Sequence, residues 1–284
     1  MLAPPDGMFR EALSYPMRKP KRLRGLLLGG GLVFLVFGFA LPTALEPPLR
    51  YAGLLGAVPY VLLRGYYVRV VRTTIGRDRP TLPPFGRPRQ LLRDGVASLF
   101  VTTVYLLPGV VVVGPLVYAS ALGTDVGTAY GELGLPTALV NAAVSVTGFL
   151  ALVAAMSLIG ALFAVPVGVA RYAHTGRVRA AFEVRRVVGG ALSEDYAVAW
   201  AISLLLQVLL FPFAYALRAV LVGFVLHFIV AAGVRYCYGQ GIGDALGLDP
   251  LVPDPGPDDR RRVPGDSRTA ATGRAGEDPM RDDR

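Results

Sequence analysis

A chain of 284 residues that is 53% hydrophobic and only 17% charged, with a mean hydropathy of +0.50, lies outside the range of ordinary soluble domains. Its formal charge is +9, but Asp249 to Arg284 holds nine acids against seven arginines, so residues 1–248 carry +11. Bases beside apolar runs orient membrane spans and meet anionic headgroups, so this balance points to a bilayer and excludes nucleic acid as the partner.

In residues 1–24, Met8, Phe9, Ala12 and Leu13 share one helical face, and Pro16 ends the pattern before Arg18, Lys19, Lys21, Arg22 and Arg24. This predicts a basic, interfacial segment on the cytoplasmic surface. The basic region and the apolar run after it are both too long for a cleaved signal peptide. The first span is Leu26 to Leu45, opened by Gly25 and Gly29 at a spacing that lets a second helix approach. Glu46 to Arg50 reads as a tight turn. The second span starts at Tyr51 and meets Arg64 before covering a bilayer, so that arginine must snorkel or be paired.

Eight arginines lie between Arg64 and Arg93, interrupted by Pro80, Pro83, Pro84 and Pro88, which predicts a basic loop ending at Asp94. The third span, Gly95 to about Val117, contains Pro108 and Pro115 and is expected to kink or break. Leu133 to Ala170 then holds no Asp, Glu, Lys, Arg or His. At roughly 1.5 Å per residue it exceeds a hydrocarbon core of roughly 30 Å. Ala151 and Ala155, Ser157 and Ala161, and Gly160 and Ala164 are spaced for close contact, so this stretch is read as the central helix, with an interfacial or re-entrant start. Arg171 to Asp195 is a second basic loop, in which Ala181, Val184 and Val188 oppose Arg179, Glu183 and Arg186. Ser193, Glu194 and Asp195 form a helix start. Tyr196 to Val234 suffices for two spans, punctuated by Pro212 and Arg218. Cys237 follows at the end of the sixth span and is expected to label from the cytoplasmic side; being the only cysteine, it excludes an intramolecular disulfide and dithiol redox chemistry. The Pro-, Gly-, Asp- and Arg-rich residues 249–284 read as a disordered cytoplasmic tail.

Of the 29 lysines and arginines, 27 fall on the side holding both termini, the 64–94 loop and the 171–195 loop, and only Arg50 and Arg218 on the other. The chain therefore reads as an all-α, polytopic membrane protein of the cell membrane, with about six transmembrane helices in three hairpins, short interfacial amphipathic helices and both termini cytoplasmic. Residues 25–248 form its transmembrane domain.

The chemistry-bearing motifs are few. Gly239, Gly241 and Gly243 lack the strand and spacing of a dinucleotide fingerprint. His174 and His227 are far apart and fall on opposite sides, so no metal site is expected, and His227 reads as a hydrogen-bonded helix residue. Asn141, Trp200 and Gln207 read as interhelical contacts or interface anchors. No span so drawn contains an acid, which removes the usual proton or sodium relay, and no catalytic constellation, cofactor loop or paired carboxylate is visible. The hairpin ends resemble one another, with Arg69 and Arg72 before Gly76, Arg171 before Gly176 and Arg235 before Gly239, as ordinary snorkelling bases and helix stops also would.

The stretches ALSYP (12–16), GYYVRVVR (65–72), RPTLPPFG (79–86), AFEVRRV (181–187), EDYAVAW (194–200) and YGQGIGDALGLD (238–249), in that order, resemble an archaeal, mostly haloarchaeal, family of multi-pass membrane proteins, domain of unknown function 4013. That resemblance covers nearly all of the chain except its tail and supplies no catalytic or binding residue.

The residues favour a non-enzymatic scaffold or accessory membrane subunit without a cofactor. Its partners would be anionic lipid and other membrane proteins, met through Arg64, Arg69, Arg72, Arg179, Arg185 and Arg186. The alternative is a small-solute or lipid transporter with no acidic coupling site, which would need a mid-membrane cavity lined by Asn141, Gln207 or His227.

Overall fold

A computed structural model describes residues 5–18, 22–40 and 49–251. Most of the turn at 46–50 and all of the tail beyond Leu251 lie outside the described residues. Among the described residues, six helices are long and apolar enough to cross a membrane: α2 (Arg22–Ala40), α3 (Ala57–Thr74), α4 (Pro88–Ala121), α6 (Thr137–Thr175), α8 (Glu194–Ala216) and α9 (Val222–Leu246). Three short helices, α1 (Pro5–Ser14), α5 (Val126–Gly131) and α7 (Val184–Ala191), decorate their ends, and no strand occurs among the described residues. The arrangement is the all-α polytopic one, with α2–α3, α4–α6 and α8–α9 as its hairpins. The end formed by α1, the 75–87 loop and α7 is called the basic end below.

The helix limits follow local chemistry. Ser193 accepts a hydrogen bond from the Tyr196 amide at 3.3 Å, and Glu194 and Asp195 occupy the first turn of α8, where the helix dipole favours acids. Asp125 caps α5 by accepting from the Thr128 amide at 2.9 Å and from the Thr128 hydroxyl, and these bonds hold its carboxyl below the usual range. α6 ends on Gly176 in the left-handed region (φ 69°).

Several expectations are corrected. α4 does not break at Pro108 or Pro115 but continues as one helix through both, and α6 is one 39-residue helix through Pro166 with no re-entrant start. Bundle neighbours can re-satisfy the carbonyls that a proline frees, so proline alone does not end a membrane helix. The α8–α9 turn lies at Leu217–Val220, leaving Pro212 inside α8.

The central helix is α9. Thirteen of its 25 residues are buried, against eight of the 39 in α6. In a bilayer, uniform apolarity suits a lipid-facing surface, whereas small residues admit neighbouring backbones. α9 carries Gly223, Ala231, Ala232, Gly233, Gly239, Gly241 and Gly243, all buried. A Cβ on Gly239 would stand 1.8 Å from the Thr74 hydroxyl, and one on Gly241 would stand 2.3 Å from the Ala199 Cβ. The GxGxG run is therefore where α9 crosses the end of α3 and the start of α8. In α6 the buried small residues are Ala154, Ala161, Gly168, Ala170 and Ala173, the last three gathered at its basic end, while a Cβ on Gly160 would meet nothing.

Of the two amphipathic segments, the second differs from expectation. α1 lays its expected apolar face, with Met8 and Ala12 buried, against protein, with the Ala12 carbonyl over Gly233 of α9, and Glu11 accepts from the Tyr236 hydroxyl at 2.6 Å. Residues 178–191 form two helices, a 3₁₀ turn at Val178–Phe182 and then α7, parted at Glu183. The break resets the helical register. Ala180, Ala181, Val187 and Ala191 are the buried face, while Val184 (71% exposed), Val188 and Leu192 (78%) point outward. Cys237 is fully buried, which contradicts the accessible thiol expected there.

Candidate functional site

The site grows from one helix crossing. A Cβ on Gly65 of α3 would lie 1.8 Å from the Leu91 carbonyl oxygen, and one on Gly95 of α4 would lie 2.0 Å from that of Val61. Only glycine at both positions permits this approach, and it sets the polar neighbours Arg64 and Asp94 into the space between α3, α4, α6 and α9.

Toward the basic end, Arg72 donates to Asp94 through Nη1 to Oδ2 at 2.9 Å and through Nη2 to Oδ1 at 3.4 Å, and its Nε donates to the Ala173 carbonyl at 2.7 Å. The Tyr172 hydroxyl donates to Asp94 Oδ1 at 2.8 Å. α3, α4 and α6 are thus tied by one carboxylate that is only 4% exposed. Beside it an open polar cavity of about 370 Å³ is lined by Gln90, Arg93 and His174 among others, and an apolar groove of about 580 Å³ continues along Leu92, Val96 and Phe100.

Deeper in the bundle, a partly open chamber of about 70 Å³ lies between Arg64 and Arg235, lined also by Tyr67, Ser98 and Tyr238 and by Val68, Val71, Val165, Pro166 and Val169. Arg64 donates through Nη2 to Thr102 Oγ1 at 2.8 Å and stands 5.8 Å from the Tyr60 ring, while its buried Nε has no partner. The Arg235 guanidinium lies 4.9 Å from the Tyr67 ring and 6.0 Å from that of Tyr238. The Tyr67 hydroxyl is buried and also without a partner. Among the described residues neither arginine forms an ion pair.

The six arginines singled out in the sequence separate into two groups. Arg64 faces the chamber, Arg72 holds Asp94, and Arg69 donates to the Pro84 and Gly86 carbonyls at 3.1 and 2.7 Å, pinning the proline-rich loop. Tyr66 joins that anchorage by donating to the Pro83 carbonyl at 2.8 Å and stacking on Phe85. Arg179, Arg185 and Arg186 are exposed around α7, with Arg186 3.6 Å from Glu183. Glu183 also receives buried Arg171 at 2.5 Å.

Asn141 is exposed, Gln207 donates along its own helix to the Ser203 carbonyl, and Trp200 packs edge-on against Phe163 of α6. His227 faces Arg218 at 3.4 Å, whose guanidinium is sandwiched 3.7 Å from the Phe37 and Tyr215 rings. Sequence reasoning missed Asp94, which it left in a loop. The overlooked signal was Pro88, a first-turn proline that starts α4 early enough to place Asp94 in its second turn.

The DUF4013 family model, described as protein of unknown function, matches residues 51–231. The chain belongs to the DUF4013 family. The match takes in α3 through α8, both sides of the Gly65–Gly95 crossing and the Arg72–Asp94–Tyr172 group, whereas Arg235 of the chamber lies just beyond it. Of the resembling stretches, ALSYP and YGQGIGDALGLD fall outside this DUF4013 region. Neither a search of the curated proteins nor one of the solved structures finds a match.

Proposed function

We propose that this chain is a non-enzymatic integral membrane protein, a scaffold or accessory subunit that binds membrane partners and anionic lipid, with its basic end in the cytoplasm. One observation carries the reading. At roughly 1.5 Å per residue, α4 and α6 are about 51 and 58 Å long, well beyond a hydrocarbon core of roughly 30 Å. Gly109 of α4 receives Leu158 and the Ala154 carbonyl of α6, so the two helices lock to each other, yet Tyr118, Leu122, Leu133 and Leu139 at the hairpin tip remain exposed. Exposed apolar surface beyond the bilayer marks an interaction site. A photo-crosslinking residue at Tyr118 or Leu139, activated in native membranes, is expected to yield a discrete protein adduct. Adducts with lipid alone would remove the scaffold reading.

The transporter alternative draws on the Arg64–Arg235 chamber, because ionisable groups inside spans accompany solute pathways. It requires passage from that chamber to both sides. Solute flux into liposomes that is lost in Arg235→Gln would favour it.

A further inference from the structure

We propose that the chamber between Arg64 and Arg235 holds a small inorganic anion of halide size as a buried counter-ion. The inference goes beyond the scaffold reading and holds whether or not the hairpin tip binds a partner.

The first argument is charge. Two half-buried guanidiniums from α3 and α9 line one small space and repel one another, and no carboxylate of the described residues pairs with either. The nearest acid along α4 is Asp94, one turn from Ser98, and Arg72 and Tyr172 already occupy it. A charge taken out of water without a partner is strongly disfavoured, and a second of the same sign makes it worse. Aromatic faces at 4.9 to 6.0 Å offset part of that cost for Arg235, and a neutral Thr102 oxygen does so for Arg64. Neither supplies the missing negative charge.

The second argument is hydrogen bonding. Arginine has donors only, and the Arg64 Nε and the Tyr67 hydroxyl are buried with no acceptor. Tyr67 is only 8% exposed and Ser98 only 2%, so solvent does not serve them. Native interiors rarely leave such groups unsatisfied without an unseen ion or water. Water could accept from one donor, but an anion both accepts and neutralises.

The third argument is size. A volume of about 70 Å³ corresponds to roughly two water molecules at about 30 Å³ each, which suits a halide or nitrate better than a whole lipid headgroup. At roughly 1.5 Å per residue, Arg64 lies about 15 Å from the end of α3 at Thr74, so the chamber is set well inside the bundle. Occupied, it ties α3, α4, α6 and α9 through one ion.

The test uses the full chain in phosphatidylcholine nanodiscs, with the unfolding temperature followed in sodium gluconate as sodium bromide replaces it at constant ionic strength. Bromide is expected to raise the unfolding temperature saturably, as binding to the folded state requires. Arg64→Gln and Arg235→Gln are each expected to raise the half-saturating bromide concentration roughly tenfold or more, the scale of a charge-assisted bond. Tyr67→Phe, which retains the ring under Arg235 and removes only the hydroxyl, is expected to raise it severalfold and serves if an arginine variant does not fold. Equal stability in bromide and gluconate would overturn the proposal, as would an unchanged half-saturation in Tyr67→Phe and the folded arginine variants. Stabilisation by phosphatidylglycerol nanodiscs but not by bromide, lost in Arg64→Gln, would assign the chamber to a lipid phosphate and also overturn it.

Discussion

Arg72 and Asp94 meet at 2.9 Å across the α3–α4 crossing, and the carboxylate they share with Tyr172 is almost wholly buried. Removing one partner leaves the other charge unmatched, a loss on the order of 3–5 kcal/mol, whereas replacing both by apolar groups of similar size is often near neutral. Asp94→Leu and Arg72→Met are therefore each expected to lower the unfolding temperature sharply. The double variant should recover most of the loss. Additive losses in the double variant would show that the two side chains act independently.

Gly65 and Gly95 are the positions where α3 and α4 tolerate no Cβ, since the obstructing atoms are backbone carbonyls that cannot swing aside. Gly65→Ala and Gly95→Ala should each cost at least the roughly 1–3 kcal/mol of an overpacked core and reduce the yield of folded protein. Gly160→Ala, whose Cβ would enter open space, should leave stability unchanged or slightly raised by helix propensity. Equal tolerance of all three in a thermal-unfolding series would refute the crossing.

The contrast between Gly65 and Gly160 also shows how far the sequence was legible. Six apolar runs, the Ser193 cap and the hairpin order could be read because bilayer length, capping chemistry and charge asymmetry act locally. The order of burial could not. Hydropathy does not distinguish a lipid-facing side chain from one facing protein, so α6, the most apolar run, was taken for the centre that α9 occupies. Asp94 reads as the end of a loop because the arginines and prolines before it break the apolar pattern, and its partners Arg72 and Tyr172 are 22 and 78 residues away. The chamber was invisible for the same reason, since Arg64 and Arg235 meet only through the tertiary fold.

Cys237 lies fully buried beside Tyr236 on the helix most enclosed by the bundle. A maleimide reagent should therefore leave it unmodified in the folded protein from either side of the membrane, and modify it fully after denaturation. An introduced Gly189→Cys, exposed on α7 with open space around its Cβ, provides the reactive control. Labelling of Cys237 at the control's rate would show that α9 is not buried as described.

The last prediction concerns α7, whose outward stripe of Val184, Val188 and Leu192 is flanked by Arg179, Arg185 and Arg186. An apolar stripe bordered by bases suits the interface of an anionic leaflet, where each base contributes on the order of 1 kcal/mol and the attraction decays within a Debye length. Arg186 is partly engaged by Glu183 at 3.6 Å, so the three together should give somewhat less than about 3 kcal/mol. Protease cleavage of the 177–192 segment is accordingly expected to be tenfold to a hundredfold slower, roughly, in phosphatidylglycerol than in phosphatidylcholine bilayers. Arg179→Gln, Arg185→Gln and Arg186→Gln combined should abolish most of that difference, and raising the salt concentration should mimic the substitution. Val184→Ser with Val188→Ser should instead speed cleavage in both bilayers, because the apolar share of the attraction does not depend on lipid charge. If the wild-type chain and the arginine variant are cut at the same rate in both bilayers, α7 does not dock, and its arginines serve only to orient the chain during insertion.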